Sequence, residues 1–257
     1  MPAELIDTHC HLTMLKDVEL EDVFKRASEH GVNRAICIGA SDGDKSAPEA
    51  CALADKYSHI FATAGIHPHD AGSFIETKAI EPFVNHNKVL AVGETGLDFF
   101  RDWAPFDAQI ELFKAHIELA KKVNKPLIIH CRDAGEKTLE VLKDHSADAV
   151  GGVFHCYAED ENFAAIVKEM NFLVSVTGNL TFKKADKLRE AIKEIPLEQI
   201  MVETDAPFMA PEPHRGKQSE PMHVYYVAKK IAEIKDISFE EVCETTTRNA
   251  ERLFGIS

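Results

Sequence analysis

Eight short apolar runs recur along the chain at intervals of roughly 25–35 residues, the length of one strand–helix unit. They lie near residues 4–9, 34–39, 60–66, 88–94, 126–130, 151–155, 172–177 and 199–204. The runs are apolar along most of their length rather than at alternate positions, which is typical of parallel strands covered on both faces. The spacing therefore predicts eight successive βα units.

The intervals between the runs carry helical patterns. In 108–123 apolar residues recur every three or four positions until Asn124 and Pro126 end the pattern. After the eighth run comes a proline-rich loop at 206–221 and then two helical segments, the second opening on a capping box at Ser238. No Ser/Gly-rich linker divides the chain, so we predict a single domain over residues 1–257 that ends in two helices. The remaining predicted helices cover 22–30, 134–145, 162–170, 185–195, 222–235 and 239–254.

Side chains that commonly bind metals stand at the ends of several of these runs. In a closed parallel barrel all strand ends of this kind meet at one face, where catalytic residues gather. An open doubly wound sheet is the alternative, but it rarely brings its first and last strands to one site. We therefore predict an α/β fold, a (β/α)8 TIM barrel of the metal-dependent hydrolase type. The candidate ligands are His9, His11, Glu94, His130, His155 and Asp205.

The pair His9 and His11 is the most specific of these signals. Residues two apart on a strand face the same way, so both imidazoles can bind one ion. Glu203 and Asp205 have the same spacing at the end of the last run. One of these acids can bind metal or act as a base while the other orients a ligand, and we favour Asp205 for the direct role.

Six nitrogen and oxygen ligands exceed what one catalytic zinc takes from protein. We predict two divalent ions bridged by Glu94 and a hydroxide. His9, His11 and Asp205 would hold one ion, and His130 and His155 the other. Two such ions can hold the attacking and leaving oxygens of a displacement at phosphorus and make hydroxide available near neutral pH. Mixed imidazole and carboxylate ligands favour zinc, manganese or iron over magnesium.

Further polar groups stand where substrate is expected. His67 follows the third run, and we predict that it contacts a phosphate or leaving group, with His69 and Arg132 nearby. Arg215 and Lys217 lie in the loop after the eighth strand, a common phosphate-binding position in barrels. Aromatic residues that could stack on a base, and other charged residues of the predicted rim, are Phe99, Phe100, Trp103, Asp98, Arg101, Lys183 and Lys184.

Composition narrows the possible partners. The formal net charge is -14, so the whole chain has no general attraction for nucleic acid or anionic membranes. This disfavours a DNA-coating protein but not a nuclease, because bound cations reverse the local charge. The six cysteines include no C-x-x-C pair, and neither a signal peptide nor a run of ~20 apolar residues occurs. We expect a cytoplasmic protein with no membrane contact and no obligate protein partner.

Taken together, these segments resemble the TatD family of metal-dependent deoxyribonucleases, within the amidohydrolase-like barrels. The resemblance covers essentially the whole chain. It implies hydrolysis of DNA phosphodiester bonds, notably trimming of single strands from the 3′ end, with a divalent metal such as magnesium. The family's metal and catalytic positions correspond to the six ligands above, supported by His67 and Glu203. The motifs that carry it are 6–12, 64–69, 93–98, 130–134, 155–157, 175–178, 203–207 and 215–217.

Two functions follow from this site. The first is a 3′–5′ exonuclease on single-stranded DNA that uses two divalent ions (Mg, Mn or Zn), with Asp205 and Glu94 at the reaction centre. The alternative is an amidohydrolase or lactonase, because the same centre polarises a carbonyl group equally well. The acidic net charge mildly favours the alternative. A non-catalytic barrel is disfavoured by the full ligand set.

Overall fold

The computed structural model describes residues 4–73 and 76–256. Hydrogen bonds join eight strands, β1 to β8, into one sheet in the order of the chain. The strands are β1 (Leu5–Cys10), β2 (Val32–Cys37), β3 (Ile60–Ala64), β4 (Val89–Asp98), β5 (Leu127–Arg132), β6 (Gly152–Phe154), β7 (Phe172–Val176) and β8 (Ile200–Val202).

Helices follow the strands along the chain. Two of them, α8 and α9, come after β8, as predicted. The helices are α1 (Leu20–Glu29), α2 (Ser46–Lys56), α3 (Glu81–Val84), α4 (Phe106–Val123), α5 (Gly135–Asp144), α6 (Glu161–Glu169), α7 (Asp186–Glu194), α8 (Val224–Lys235) and α9 (Phe239–Phe254). None of the helices within 4–73 and 76–256 combines the length and apolar character that crossing a membrane requires.

The chain divides into two compact units. Unit 1 consists of Met1–Ile36, Cys156–Lys168 and Leu173–Ser257, and unit 2 consists of Cys37–His155 and Glu169–Phe172. The expectation of a single domain over 1–257 stays a prediction.

Unit 1 contains the first and the last strands, and these lie side by side. The backbone N–H of Asp205 donates to the carbonyl of His9 (2.8 Å), and that of His11 donates to Ala206 (2.7 Å). The hydroxyl of Thr8 donates to the carbonyl of Val202 (3.0 Å). The predicted approach of β1 and β8 is therefore present, and it brings the two strand ends together.

Unit 2 is built around β4, which pairs in parallel with β3 and with β5. Helix α4 packs one face into this unit, where Phe113 and Ile117 are fully buried. The helix ends at Val123, and the next residue, Asn124, has a left-handed backbone. This is the stop that the sequence predicts.

The strand expectations hold with one informative correction. The fourth apolar run was expected to end at Glu94, but β4 continues to Asp98. Gly96 has a φ of 133°, and a Cβ on it would overlap the carbonyl oxygen of His130. The glycine therefore allows β4 to continue close beside β5 instead of turning away. Helices α2 and α3 were not predicted.

Candidate metal centre

The carboxyl ends of β1 and β8 form the first ligand cluster, in unit 1. The Nε2 atoms of His9 and His11 lie 3.7 and 3.3 Å from Oδ1 of Asp205. One ligand atom from each of these three residues lies within 4.8 Å of the others. Two imidazoles and one carboxylate at this separation can bind one divalent cation.

Buried acids support this cluster from behind. The carboxyl group of Asp7 accepts hydrogen bonds from the Thr204 hydroxyl (2.6 Å) and the Thr204 backbone N–H (2.9 Å). Burial raises the pKa of Asp7 to about 8, although the hydrogen bonds from Thr204 oppose this effect. Glu203 accepts the backbone N–H of Cys156 (2.7 Å) and so holds the segment that follows His155. Glu203 thus bonds to the backbone, whereas Asp205 faces the imidazoles of His9 and His11.

The second cluster, in unit 2, converges on Glu94. Its Oε1 atom lies 2.7 Å from Nε2 of His155, 2.9 Å from Nδ1 of His130 and 3.3 Å from Nε2 of His67. Glu94 and His155 are buried. Three imidazole nitrogens that surround one carboxylate oxygen are the ligand mixture of a divalent-metal site.

Asp98 extends this cluster, and sequence reasoning had placed it only on the rim. It is completely buried. Its Oδ2 atom lies 2.7 Å from Nε2 of His69 and 3.1 Å from Nε2 of His130. His130 is thus held between Glu94 on one ring nitrogen and Asp98 on the other. The sequence contains a signal for this position of Asp98, because residues 94, 96 and 98 lie on the same face if the strand continues past Glu94.

The protonation of these groups follows from burial and hydrogen bonding. Burial lowers the pKa of His67 to about 4, against the opposing effect of Glu94. Burial also disfavours protonated His130, but hydrogen bonds to Asp98 and Glu94 outweigh it and raise the pKa of His130. For Asp98, burial is outweighed by the hydrogen bonds from His130 and His69, which lower the pKa of its carboxyl. His67 is therefore neutral and Asp98 ionised near neutral pH.

His67 also has a defined tautomer. Its Nδ1 atom accepts the backbone N–H of His69 (3.1 Å), which leaves the hydrogen on Nε2, facing Glu94. The preceding residue, Ile66, donates its backbone N–H to His116 of α4 (3.0 Å). One ligand atom each from His67, His69 and His130 also lies within 4.8 Å of the others. The sequence assigned His69 to substrate, whereas its structural neighbours make it a further candidate ligand.

The predicted substrate-binding cations lie on aromatic rings or in open positions. The guanidinium of Arg132 lies 4.0 Å from the ring centre of Phe100, and that of Arg215 lies 3.6 Å from that of Phe182. Arg215 also lines a cavity of about 530 Å³ in unit 1, together with Lys183 and Lys184. Lys217 is exposed.

Strand-end clusters of imidazole and carboxylate on a parallel α/β sheet define a metal-dependent hydrolase. Comparison with known proteins gives the family. The chain belongs to the TatD family: the family model described as "TatD related DNase" matches residues 6–255. The prediction of a TatD-type hydrolase is confirmed.

Relatives cover nearly the whole chain. The Bacillus subtilis (strain 168) protein named "Uncharacterized metal-dependent hydrolase YabD" is 43% identical over 256 residues, covering 98% of this chain and 100% of the relative. The Shigella flexneri serotype 5b (strain 8401) protein named "3'-5' ssDNA/RNA exonuclease TatD" is 31% identical over 244 residues, covering 92% and 93%.

A solved structure confirms the fold class. The TatD homologue YJJV from Escherichia coli K12 is 28% identical and superimposes with a TM-score of 0.87, covering 100% of both chains. The fold is therefore the predicted (β/α)8 barrel, with eight parallel strands and alternating helices.

Proposed function

We propose that this hydrolase cleaves DNA phosphodiester bonds as a 3′–5′ exonuclease on single strands, with water activated at a centre of two divalent ions (Mg, Mn or Zn). One observation carries the proposal: Oε1 of Glu94 lies within 3.3 Å of imidazole nitrogens from three histidines. The Shigella relative is named a 3'-5' ssDNA/RNA exonuclease, and this supports a nucleic acid substrate.

We assign His9, His11 and Asp205 to one ion, His130 and His155 to the other, and Glu94 to both. The carboxyl ends of the strands of a barrel gather at one face, which supports this assignment. The donor sets fit divalent cations, since neutral imidazole and carboxylate are the ligands that zinc and manganese accept.

The ions would lower the pKa of water and neutralise charge on the phosphate in the transition state. The remaining chemistry belongs to the protein. Asp205 accepts the proton of the attacking water, and Glu203 orients the strand end beside it. His67 is neutral, and its Nε2–H faces Glu94; once Glu94 binds the ions, this N–H would be released to donate to a phosphate oxygen. Further polar and cationic groups that bind the phosphate backbone come from His69, Arg132, Arg215 and Lys217. We also propose that the enzyme acts in the cytoplasm.

The competing function is hydrolysis of a small amide or lactone. The net charge of -14 favours a small substrate over a polyanion. Both functions use the same metal ligands, so variants of the ligands alone do not separate them. The substrate has to be compared directly.

In the test, the purified protein is loaded with Mg, Mn or Zn. It is then incubated with single-stranded DNA labelled at the 3′ or the 5′ end and, separately, with a panel of amides and lactones. We expect early release of the 3′ label as a mononucleotide and progressive shortening of the 5′-labelled strand. Glu94→Gln and Asp205→Asn should each lower the rate by about 10³-fold or more, because they remove groups at the reaction centre.

The matched control is Asp55→Asn, an exposed acid on α2 whose partner is His86. This variant should retain the parental rate. Hydrolysis of amides or lactones without release of nucleotides would overturn the nuclease proposal. Full activity of Glu94→Gln would overturn the assignment of Glu94.

A further inference from the structure

The segment after β4 exposes large apolar side chains in a cluster. Phe100 is 57% exposed, Trp103 61% and Phe106 43%. These are three of the five large apolar side chains that are exposed in the described part of the chain. Scattered single residues of this kind are ordinary, but several together on a water-exposed surface mark a binding site.

Two of these rings carry an arginine. The guanidinium of Arg132 lies 4.0 Å from the ring centre of Phe100, and that of Arg101 lies 4.3 Å from that of Trp103. These are cation–π distances, and such contacts hold the arginine and the ring in one place. The pairs combine an exposed aromatic ring with a group that binds phosphate. Single-stranded nucleic acids are bound by this combination of base stacking and backbone neutralisation.

The cluster adjoins the ligands of unit 2. The ring of Trp103 meets that of His69 edge to face, with centroids 4.5 Å apart. The carboxylate of Asp98 lies within hydrogen-bonding distance of Nε2 of His69 and of Nε2 of His130. A planar group that stacks on Trp103 would therefore lie beside the candidate metal ligands rather than at a remote surface.

We propose that Phe100, Arg101, Trp103 and Arg132 form a nucleotide-binding subsite, in which the rings stack on bases and the guanidiniums contact the adjoining phosphates. The inference rests on the proposed function and deepens it by assigning the residues that hold the strand next to the scissile bond. The occupant is a single strand, because bases within a duplex stack on one another and their faces are not available to protein.

The placement of the arginines supports this occupant over a peptide. Asp102 and Asp133 directly follow Arg101 and Arg132, so the local charge is mixed, but each guanidinium lies over an exposed ring and not in open solvent. An apolar peptide would bind to the exposed rings and gain nothing from the arginines. A single-stranded nucleic acid would use both, because its bases stack on the rings and its phosphates contact the guanidiniums.

Trp103 is the only tryptophan of the chain, so its fluorescence reports on this site alone. The probe is a thymidine decamer with phosphorothioate linkages, titrated into the metal-loaded protein. A phosphorothioate decamer of abasic residues has the same charge but no bases. We expect quenching by the thymidine strand at concentrations about 5- to 150-fold lower than those needed for the abasic strand, the range expected for base–aromatic stacking.

Variants extend the test beyond fluorescence. By fluorescence polarisation of a labelled strand, Trp103→Ala should lose the preference for the thymidine decamer over the abasic one, and Trp103→Phe should restore most of it. The control is Ile166→Ala, which removes an exposed apolar side chain from α6. It should keep the parental preference. Circular dichroism checks that each variant is folded.

Exonuclease activity is measured in parallel on an ordinary thymidine decamer. Release of nucleotides with no difference between the thymidine and abasic strands would overturn the subsite and leave the proposed function standing. A fluorescence preference for the thymidine strand without any release of nucleotides would support the subsite and overturn the exonuclease. Quenching by an apolar peptide but by neither strand would overturn the subsite in favour of a protein partner.

Discussion

The hydroxyl of Thr204 donates a 2.6 Å hydrogen bond to the carboxyl group of Asp7, although the two residues are 197 positions apart. Both are buried. Asp7 stands two residues before His9, and Thr204 directly precedes Asp205, so this bond ties together the two strand ends that carry the ligands of unit 1. Groups that orient metal ligands in this way commonly affect metal affinity as much as stability.

Replacing this hydroxyl should therefore have two effects. Thr204→Val keeps the shape but removes the donor, and we expect a loss of about 1–3 kcal/mol in the free energy of unfolding. We also expect metal affinity to fall about tenfold or more. The measurements are urea unfolding and competition with a chelating dye.

Thr246→Val is the matched control. Thr246 is a buried threonine in α9 whose hydroxyl donates to the Val242 carbonyl (2.9 Å). This change should cost stability without altering metal affinity. Equal metal affinity in Thr204→Val and the parent would show that the bond does not position the ligands.

Asp98→Asn tests the residue that sequence reasoning undervalued. One carboxylate oxygen of Asp98 faces Nε2 of both His69 and His130. The amide oxygen of asparagine carries no formal negative charge and is a weaker acceptor for these two groups. We expect metal affinity to fall about 10- to 100-fold with the fold retained. Metal titration followed by isothermal calorimetry checks this. An unchanged affinity would reduce Asp98 to a purely structural acid.

Gly96→Ala should destabilise the protein by more than about 3 kcal/mol, because the methyl group overlaps the backbone of β5 in addition to the strain at positive φ. Gly255→Ala is the control, since Gly255 also has a positive φ but nothing lies within 4 Å of its added methyl group. We expect a cost of only about 1 kcal/mol there. Similar unfolding midpoints for the two variants would contradict the close approach of β4 and β5.

His116 should make stability depend on pH. Its Nδ1 faces the Leu112 carbonyl and its Nε2 accepts the N–H of Ile66, so only the neutral ring fits. Burial lowers the pKa of His116 to about 4 in the folded protein. The unfolded chain takes up the proton near pH 6.5, so this contribution to stability is complete above that pH and is lost as the pH falls towards 4.

The slope attributable to His116 is about 1.4 kcal/mol per pH unit within that window. Urea unfolding of the parent and of His116→Gln, both in excess chelator, isolates it as the difference between the two curves. Glutamine retains a donor and an acceptor. Parallel curves between pH 6.5 and 4 would show that the buried histidine is not held neutral.

The sequence predicted the strands and their polar ends because both signals are local. An apolar run ends where the strand leaves the core and its side chains meet solvent or a functional site. His9 and His11 lie on the same side because residues two apart on a strand face the same way. The contact of β1 with β8 was also predictable, since ligands at the two ends of the chain have a common purpose only if the sheet closes.

Other features depend on contacts that the sequence does not reveal. The fourth apolar run was expected to end at Glu94, but Gly93 and Gly96 permit close packing on β5, which keeps Asp98 in the strand. Helix α2 has Pro48 near its start, and its buried stripe of Ala47, Ala50, Cys51 and Ala54 consists of small residues that give only a weak apolar signal. The stacking of Arg132 on Phe100 joins a strand end to a loop and follows from neither alone.

We propose that the two ligand clusters hold divalent cations. Crystals grown with manganese and measured at its absorption edge test it directly by anomalous scattering. We predict two peaks, one bound by His9, His11 and Asp205 and one by His130 and His155, with Glu94 contacting both. Maps with no peak at these residues, in protein that is nonetheless active, would contradict the account.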